Sequence, residues 1–227
     1  MAIRLEKGQN TQLNLDIFHV GLGWDVREDN SSDEDFDLDV SAFMLTSNKK
    51  VPSDDYLVFY NSENRVRPSC LTQIVSYKEW TGGRNYWTDD ENEALRHESR
   101  PVDPELSVIG SIDDEDGSTS EDGDDETMDI NLSKVRKDVT EIIICVSIHK
   151  YAERRQNFGQ VERAYVRLYK PGQLQSEGEY IYDLTEDFSA CASVEFCRLY
   201  RKDNGWKIQA LGIGHKGGLE ELVSKFV

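Results

Sequence analysis

Short apolar runs recur along the chain, each closed by Gly, Asp or Asn punctuation. They read as strands at "IRLEK", "TQLNLD", "FHVGLGWDV", "FDLDVSAFML" and "DYLVFYN" in the first third. Later come "TMDINL", "EIIICVSIH", "RAYVRLYK", "GEYIYDL", "ASVEFCRLYR" and "WKIQALGIG". Val, Ile, Tyr and Phe dominate these runs, which suits a pleated, half-buried surface. The last segment differs. In "GGLEELVSKFV" the apolar residues stand at Leu219, Leu222, Val223 and Phe226, which is helical spacing, so a C-terminal helix lying on a sheet is expected. Many short strands with turns between them predict an all-β fold with minor helix, a sandwich of two antiparallel sheets.

Residues 65–107 break this rhythm. The stretch is too aromatic for plain disorder and too long for a bare loop in a compact domain. It reads as a partly ordered insertion into a single domain spanning 1–227, with a hairpin and a short helical turn at "DENEALRH". Trp80, Tyr86 and Trp87 form either an aromatic binding surface or a satellite core; the second is favoured.

Charge changes the picture. The 227 residues carry a net charge of −18, with 37% hydrophobic residues, enough for a sizeable core. Residues 25–39 hold eight acids and one Arg, and residues 113–126 hold nine acids and no base. The rest of the chain is close to neutral. Nucleic acid and anionic lipid are poor partners for such a surface, whereas cations and basic partners suit it. No apolar stretch approaches the length of a membrane span, and the start, "MAIRLEKGQN", does not read as a signal peptide. Four cysteines without a CxxC pair point to free thiols in a reducing, cytoplasmic setting, with Cys145 in the core. Scattered histidines argue against zinc.

Why the acids cluster is the functional question. In a strand, Asp35, Asp37 and Asp39 share one face, while Leu38, Val40 and Ala42 face the other way into a core. Asp25 follows the neighbouring strand "GLGW", and Asp124, Asp125 and Glu126 follow Gly123 directly before a strand. Both clusters fall where strands meet loops. Dense hard oxygens are what Ca²⁺ needs, and sharing an ion would offset their repulsion. The spacing is not that of an EF-hand, so a cage would be assembled from separate loops. Ca²⁺ binding and solvated acidic loops stand about level on these grounds. Catalysis by paired carboxylates is the weakest reading, because the acids lie among other acids rather than in an apolar pocket.

Several stretches resemble the TerD family of tellurium-resistance and stress-response proteins. They include "LEKGQNTQLNL" (5–15), "VGLGWDV" (20–26), "DFDLDVSAFML" (35–45), "FYN" (59–61), "GDDE" (123–126), "INLSKV" (130–135), "RRQNFGQV" (154–161), "YDLTED" (182–187) and "GGLEELVSKF" (217–226). The resemblance implies a cytoplasmic bacterial β-sandwich without catalytic activity. It implies Ca²⁺ at an acidic end, in a sensor or scaffold working with other Ter proteins, and through them near a membrane. Carried over residue by residue, its acidic motifs fall on Asp25, on Asp35, Asp37 and Asp39, and on Asp124, Asp125 and Glu126. Asn61 of "FYN" would supply an oxygen, and Asp113 and Asp114 are the nearest equivalents of a glycine-rich stretch that this chain lacks. The chain also departs after His149, where Lys150 and Tyr151 stand in place of acids. "RRQNFGQV" is read as structural, with Asn157 and Gly159 in a turn and Phe158 in the core. Two rivals remain: a metal-independent acidic interaction module, and a carboxylate-dependent hydrolase.

Overall fold

A computed structural model describes residues 2–26, 36–80, 82, 88–112, 124–173, 178–184, 188–203 and 205–227. The first strands are β1 (Ile3–Arg4), β2 (Asn10–Gln12), β3 (Ile17–Val26), β4 (Leu38–Thr46) and β5 (Leu57–Val58). Then come β6 (Asn64–Arg67), β7 (Cys70–Ser76), helices α1 (Tyr77–Trp80) and α2 (Asp89–Glu98), and strands β8 (Arg100–Pro101), β9 (Val108–Ile109), β10 (Glu126–Asn131) and β11 (Val139–Ile148). The chain ends with α3 (Tyr151–Arg154), β12 (Val161–Tyr169), β13 (Tyr180–Asp183), β14 (Ser193–Lys202), β15 (Gly205–His215) and α4 (Leu219–Phe226).

Two sheets form the sandwich. The first runs β1-β13-β12-β3-β10-β9 and the second β2-β15-β14-β11-β4-β5. Pairing is antiparallel except for β1, which lies parallel to β13. Alternation decides the faces. Phe18, Val20 and Leu22 of β3 and Leu38, Val40 and Ala42 of β4 point into one inter-sheet core, together with Ile142, Ile144 and Val146 of β11. The alternation expected for Leu38, Val40 and Ala42 is therefore found.

The opposite face of the second sheet is also apolar. Phe43, Leu45, Ile143 and Cys145 lie there, covered by Leu222 and Phe226 of α4. The Phe43 and Phe226 rings meet at 5.0 Å between centroids. Burying those two helix side chains stabilises by roughly 5 kcal/mol, which is why the helical spacing at the C-terminus is a packing signal.

The segment that broke the strand rhythm is ordered where it is described. β6, β7 and β8 make a small third sheet, with the expected hairpin between β6 and β7. α2 begins with Thr88, whose hydroxyl accepts from the Glu91 N–H while the Glu91 carboxylate accepts from the Thr88 N–H. A satellite core of Val66, Val102 and Ile109 holds the sheet down. Trp80 carries the Arg67 guanidinium on its ring at 4.6 Å, whereas Tyr86 and Trp87 lie outside the described residues. Leu71–Gln73 leave the ladder between the pairs Val66↔Ile74 and Arg67↔Cys70, and this bulge blunts an otherwise open edge.

Candidate functional site

One end of the sandwich collects the acids. The register Leu38↔Ile148 puts the start of β4 beside the end of β11, and Val26↔Val161 puts the end of β3 beside the start of β12. Glu126 opens β10 opposite Leu22, and its carboxylate crosses to the second sheet to accept the Val40 N–H at 2.9 Å. The two acidic segments, far apart in sequence, are thus tied together by a side chain. Asp35, Asp113 and Asp114 lie outside the described residues.

Each described carboxylate of the predicted set has a protein group against it. Asp25, half-buried, pairs with the exposed Arg163 at 2.8 Å. Asp37 and Asp39 are buried, at 5% and 3% exposure, on the outer face of β4. Arg154 faces Asp37 at 3.8 Å and His149 faces Asp39 at 3.7 Å, both beyond hydrogen-bond distance. Asp125 accepts the Trp24 N–H at 2.9 Å. Asn61 is exposed, next to Tyr60, whose ring meets His149 edge-on at 5.3 Å. A hollow of about 220 Å³ opens here, lined by Asp39, Tyr60, Ser147, His149, Tyr151 and Leu219 among others.

Asp124 is held differently. Its side chain is fully buried, accepts from Arg167 Nε at 3.0 Å and Nη2 at 2.6 Å, and accepts from the Tyr165 hydroxyl at 3.0 Å. Burial pushes the Asp124 carboxyl above the ordinary carboxylate range, and the Arg167 and Tyr165 contacts offset this only in part. The same burial raises the Tyr165 hydroxyl. Close by, Asp129 feels burial too, but His19 and Arg100 hydrogen-bond to it and hold it below the usual range.

The glycines of "GLGW" make this arrangement possible. A Cβ on Gly21 would stand 2.0 Å from Asp124 Oδ2, and one on Gly23 would stand 2.3 Å from the Tyr165 hydroxyl oxygen. Both residues are seats for side chains that cross them. Gly21→Ala is expected to cost about 1–3 kcal/mol by overpacking, read as a lower urea midpoint at unchanged slope. An unchanged midpoint would show that Asp124 can leave its seat freely.

Sequence reasoning missed this buried pair. Tyr165 and Arg167 look like ordinary alternating strand residues, and nothing in the spacing links them to residue 124. It also missed that His149 and Arg154 turn toward Asp37 and Asp39. The "RRQNFGQV" turn is as expected: Asn157 accepts the Gly159 N–H at 2.8 Å, and Phe158 is buried.

A family model for the TerD domain matches residues 1–86 and 99–226. The chain belongs to the TerD family. TerD-type relatives span its whole length. The tellurium resistance protein TerD of Alcaligenes sp is 34% identical over 232 residues, covering 100% of this chain and 97% of that protein. General stress protein 16U of Bacillus subtilis (strain 168) is 32% identical, with 100% and 97% covered. In structure, a homologue of telluride resistance protein (TerD), SCO6318 from Streptomyces coelicolor A3(2), matches with TM-score 0.51 at 15% identity, over 92% of this chain and 96% of that one. That likeness shows the shared fold. The family model runs through β7 and passes over residues 87–98, which include α2. Among the described residues no helix is long and apolar enough to cross a membrane.

Proposed function

We propose that this TerD-family chain is a Ca²⁺-binding stress-response protein, a sensor or scaffold that works in the cytoplasm with other Ter proteins. The observation that carries the reading is the burial of Asp37 and Asp39 side by side on one face at the acidic end. Two like charges taken out of water there need positive charge beside them. His149 stands 3.7 Å from Asp39 and Arg154 3.8 Å from Asp37, so positive charge is already gathered on this side.

The donor chemistry fits a hard cation, which takes six to eight oxygens in a flexible cage. The number of donors does not close within the described residues, where no group of three or more ligand side chains stands together. Asp37 and Asp39 would hold the ion, with Asn61 and with Asp35, Asp113 and Asp114 from the segments that lie outside the described residues. Asp124 drops out, because Arg167 and Tyr165 already engage it. Asp25, Asp125 and Glu126 shape the surrounding loops through Arg163 and the N–H groups of Trp24 and Val40. Bound Ca²⁺ supplies two positive charges at this end. The chain's own residues then present a more ordered set of loops to a partner. Catalysis forms no part of the proposal.

The test is calorimetric titration of the chelator-stripped protein with Ca²⁺, with Mg²⁺ as control, and a melt of each end state. Ca²⁺ is expected to bind and raise the melting temperature. Asp37→Asn and Asp39→Asn are each expected to weaken binding by about tenfold or more, roughly 1.4 kcal/mol. No heat and no shift up to millimolar Ca²⁺ would remove the metal from the reading. A metal-independent acidic interaction module is then the reading that stands, favoured by the basic groups already set against the acids.

A further inference from the structure

We propose that the end of the sandwich opposite the acidic one docks the acidic segment 27–35 of a second copy of this chain, so that molecules associate head to tail. The second sheet builds the docking surface. Its register sets the turn after β4 beside the start of β11, through Thr46↔Val139, and beside the β14–β15 hairpin, through Glu141↔Tyr200 and Lys202↔Gly205. Residues 46–50, 132–138 and 198–207 meet there. They hold nine basic residues and two acidic ones, in a chain whose net charge is −18.

Some of these cations serve the fold. Lys49 and Arg198 both reach Glu141, and Arg136 pairs with Asp138. Arg201 donates to the carbonyls of Val139 and Val135. Lys134, Lys137, Lys202 and Lys207 have no ion pair among the described residues, and the first three are exposed. Three of these positive charges, Lys134, Lys137 and Lys202, therefore face water on two adjacent turns.

The occupant follows from charge and reach. The complementary charge is carried by the same molecule, at equal stoichiometry: residues 27–35 hold five acids and one Arg. That segment cannot fold back onto its own basic end. It is rooted at Val26 and Phe36, and a nine-residue arch reaches at most about 17 Å from its roots. β11 alone, at 10 residues, separates the two ends by roughly 30 Å. The contact is therefore made in trans. Because the poles lie at opposite ends, it is heterologous and does not close on itself. At physiological salt the screening length is about 8 Å, so the overall negative charge of each copy opposes the contact far less than the local pairing favours it. The large rings at the basic end are covered rather than offered for bilayer insertion or base stacking. Trp206 and Tyr56 are both buried, beneath Arg201 at 4.5 Å and Arg136 at 5.2 Å.

Sedimentation velocity of the full chain tests this, in chelator so that metal binding does not enter. At about 0.01 M salt, where screening reaches roughly 30 Å, the sedimentation coefficient is expected to climb with concentration without a plateau at dimer. At about 1 M salt, where it is roughly 3 Å, the protein is expected to be monomeric. Lys134→Glu/Lys137→Glu/Lys202→Glu is expected to be monomeric at both, with an unchanged melting temperature. A variant with Glu28, Asp29, Asp33 and Glu34 replaced by amides is expected to be monomeric alone. An equimolar mixture of the two variants is expected to stop at a 1:1 pair, since each supplies the pole the other lacks. A monomer at all concentrations in low salt overturns the proposal, as does association that survives either set of substitutions. Lysine-dependent binding to vesicles of anionic phospholipid, in place of self-association, also overturns it and assigns this end to a lipid surface.

Discussion

Arg167→Met is expected to lose about 3–5 kcal/mol of folding stability, because it leaves the Asp124 carboxylate buried without its cation. The loss should depend on pH in a defined direction. Asp124 already titrates above the ordinary range because it is desolvated, and removing Arg167 removes a group that lowers it. The folded variant then holds the Asp124 proton at pH values where the unfolded chain has released it. Between the unfolded pKa of about 3.9 and the higher folded one, stability falls as pH rises, so the deficit should be largest near neutrality and narrow toward acid. Urea unfolding at several pH values measures it. The companion change Asp124→Leu, made in the Arg167→Met background, should recover much of the loss, because an apolar pair replaces a broken ionic one. A deficit that is flat with pH, or a double variant as weak as the single one, would mean that Arg167 matters for packing on Tyr165 and Tyr169 rather than for charge.

Arg65→Met should cost about 3 kcal/mol, confined to the small third sheet. The Arg65 side chain has no exposure, and its guanidinium donates to the Tyr60 carbonyl at 2.7 Å, to the Ser99 hydroxyl at 2.6 Å and to the Ser99 carbonyl at 3.0 Å. Those contacts join the end of α2 to the chain just before β6. Losing the donor leaves buried acceptors unpaired, at about 1–3 kcal/mol each before relaxation. Hydrogen exchange is the measurement. Amides of β6, β7 and β8 should lose protection, while those of β3, β4 and β11 keep theirs. Uniform loss across the sandwich would show that the third sheet is part of the global folding unit.

The positions of the strands were legible in the sequence because alternation is a local property. In "FDLDVSAFML", the rule that alternate residues share a face was enough to put Leu38, Val40 and Ala42 inside and the aspartates outside. Leu222 and Phe226 were legible for the same reason at helical period. The acidic end was legible as a charge pattern, and the family as a string of matching motifs.

Other features depend on contacts between residues far apart in the chain. The hairpin around β6 could be expected, but its anchor could not: Arg65 reads as one of many surface arginines until Ser99 closes over it. Local pattern determined which residues face inward, where the turns fall and where the charge lies, since each depends only on near neighbours. The sheet registers decided the rest. They brought Glu126 to Val40, Asp124 to Arg167 above Gly21, His149 to Asp39, and three basic turns to one end. Such pairings join residues from tens to more than a hundred positions apart and depend on how strands pair and sheets stack, which no local periodicity encodes.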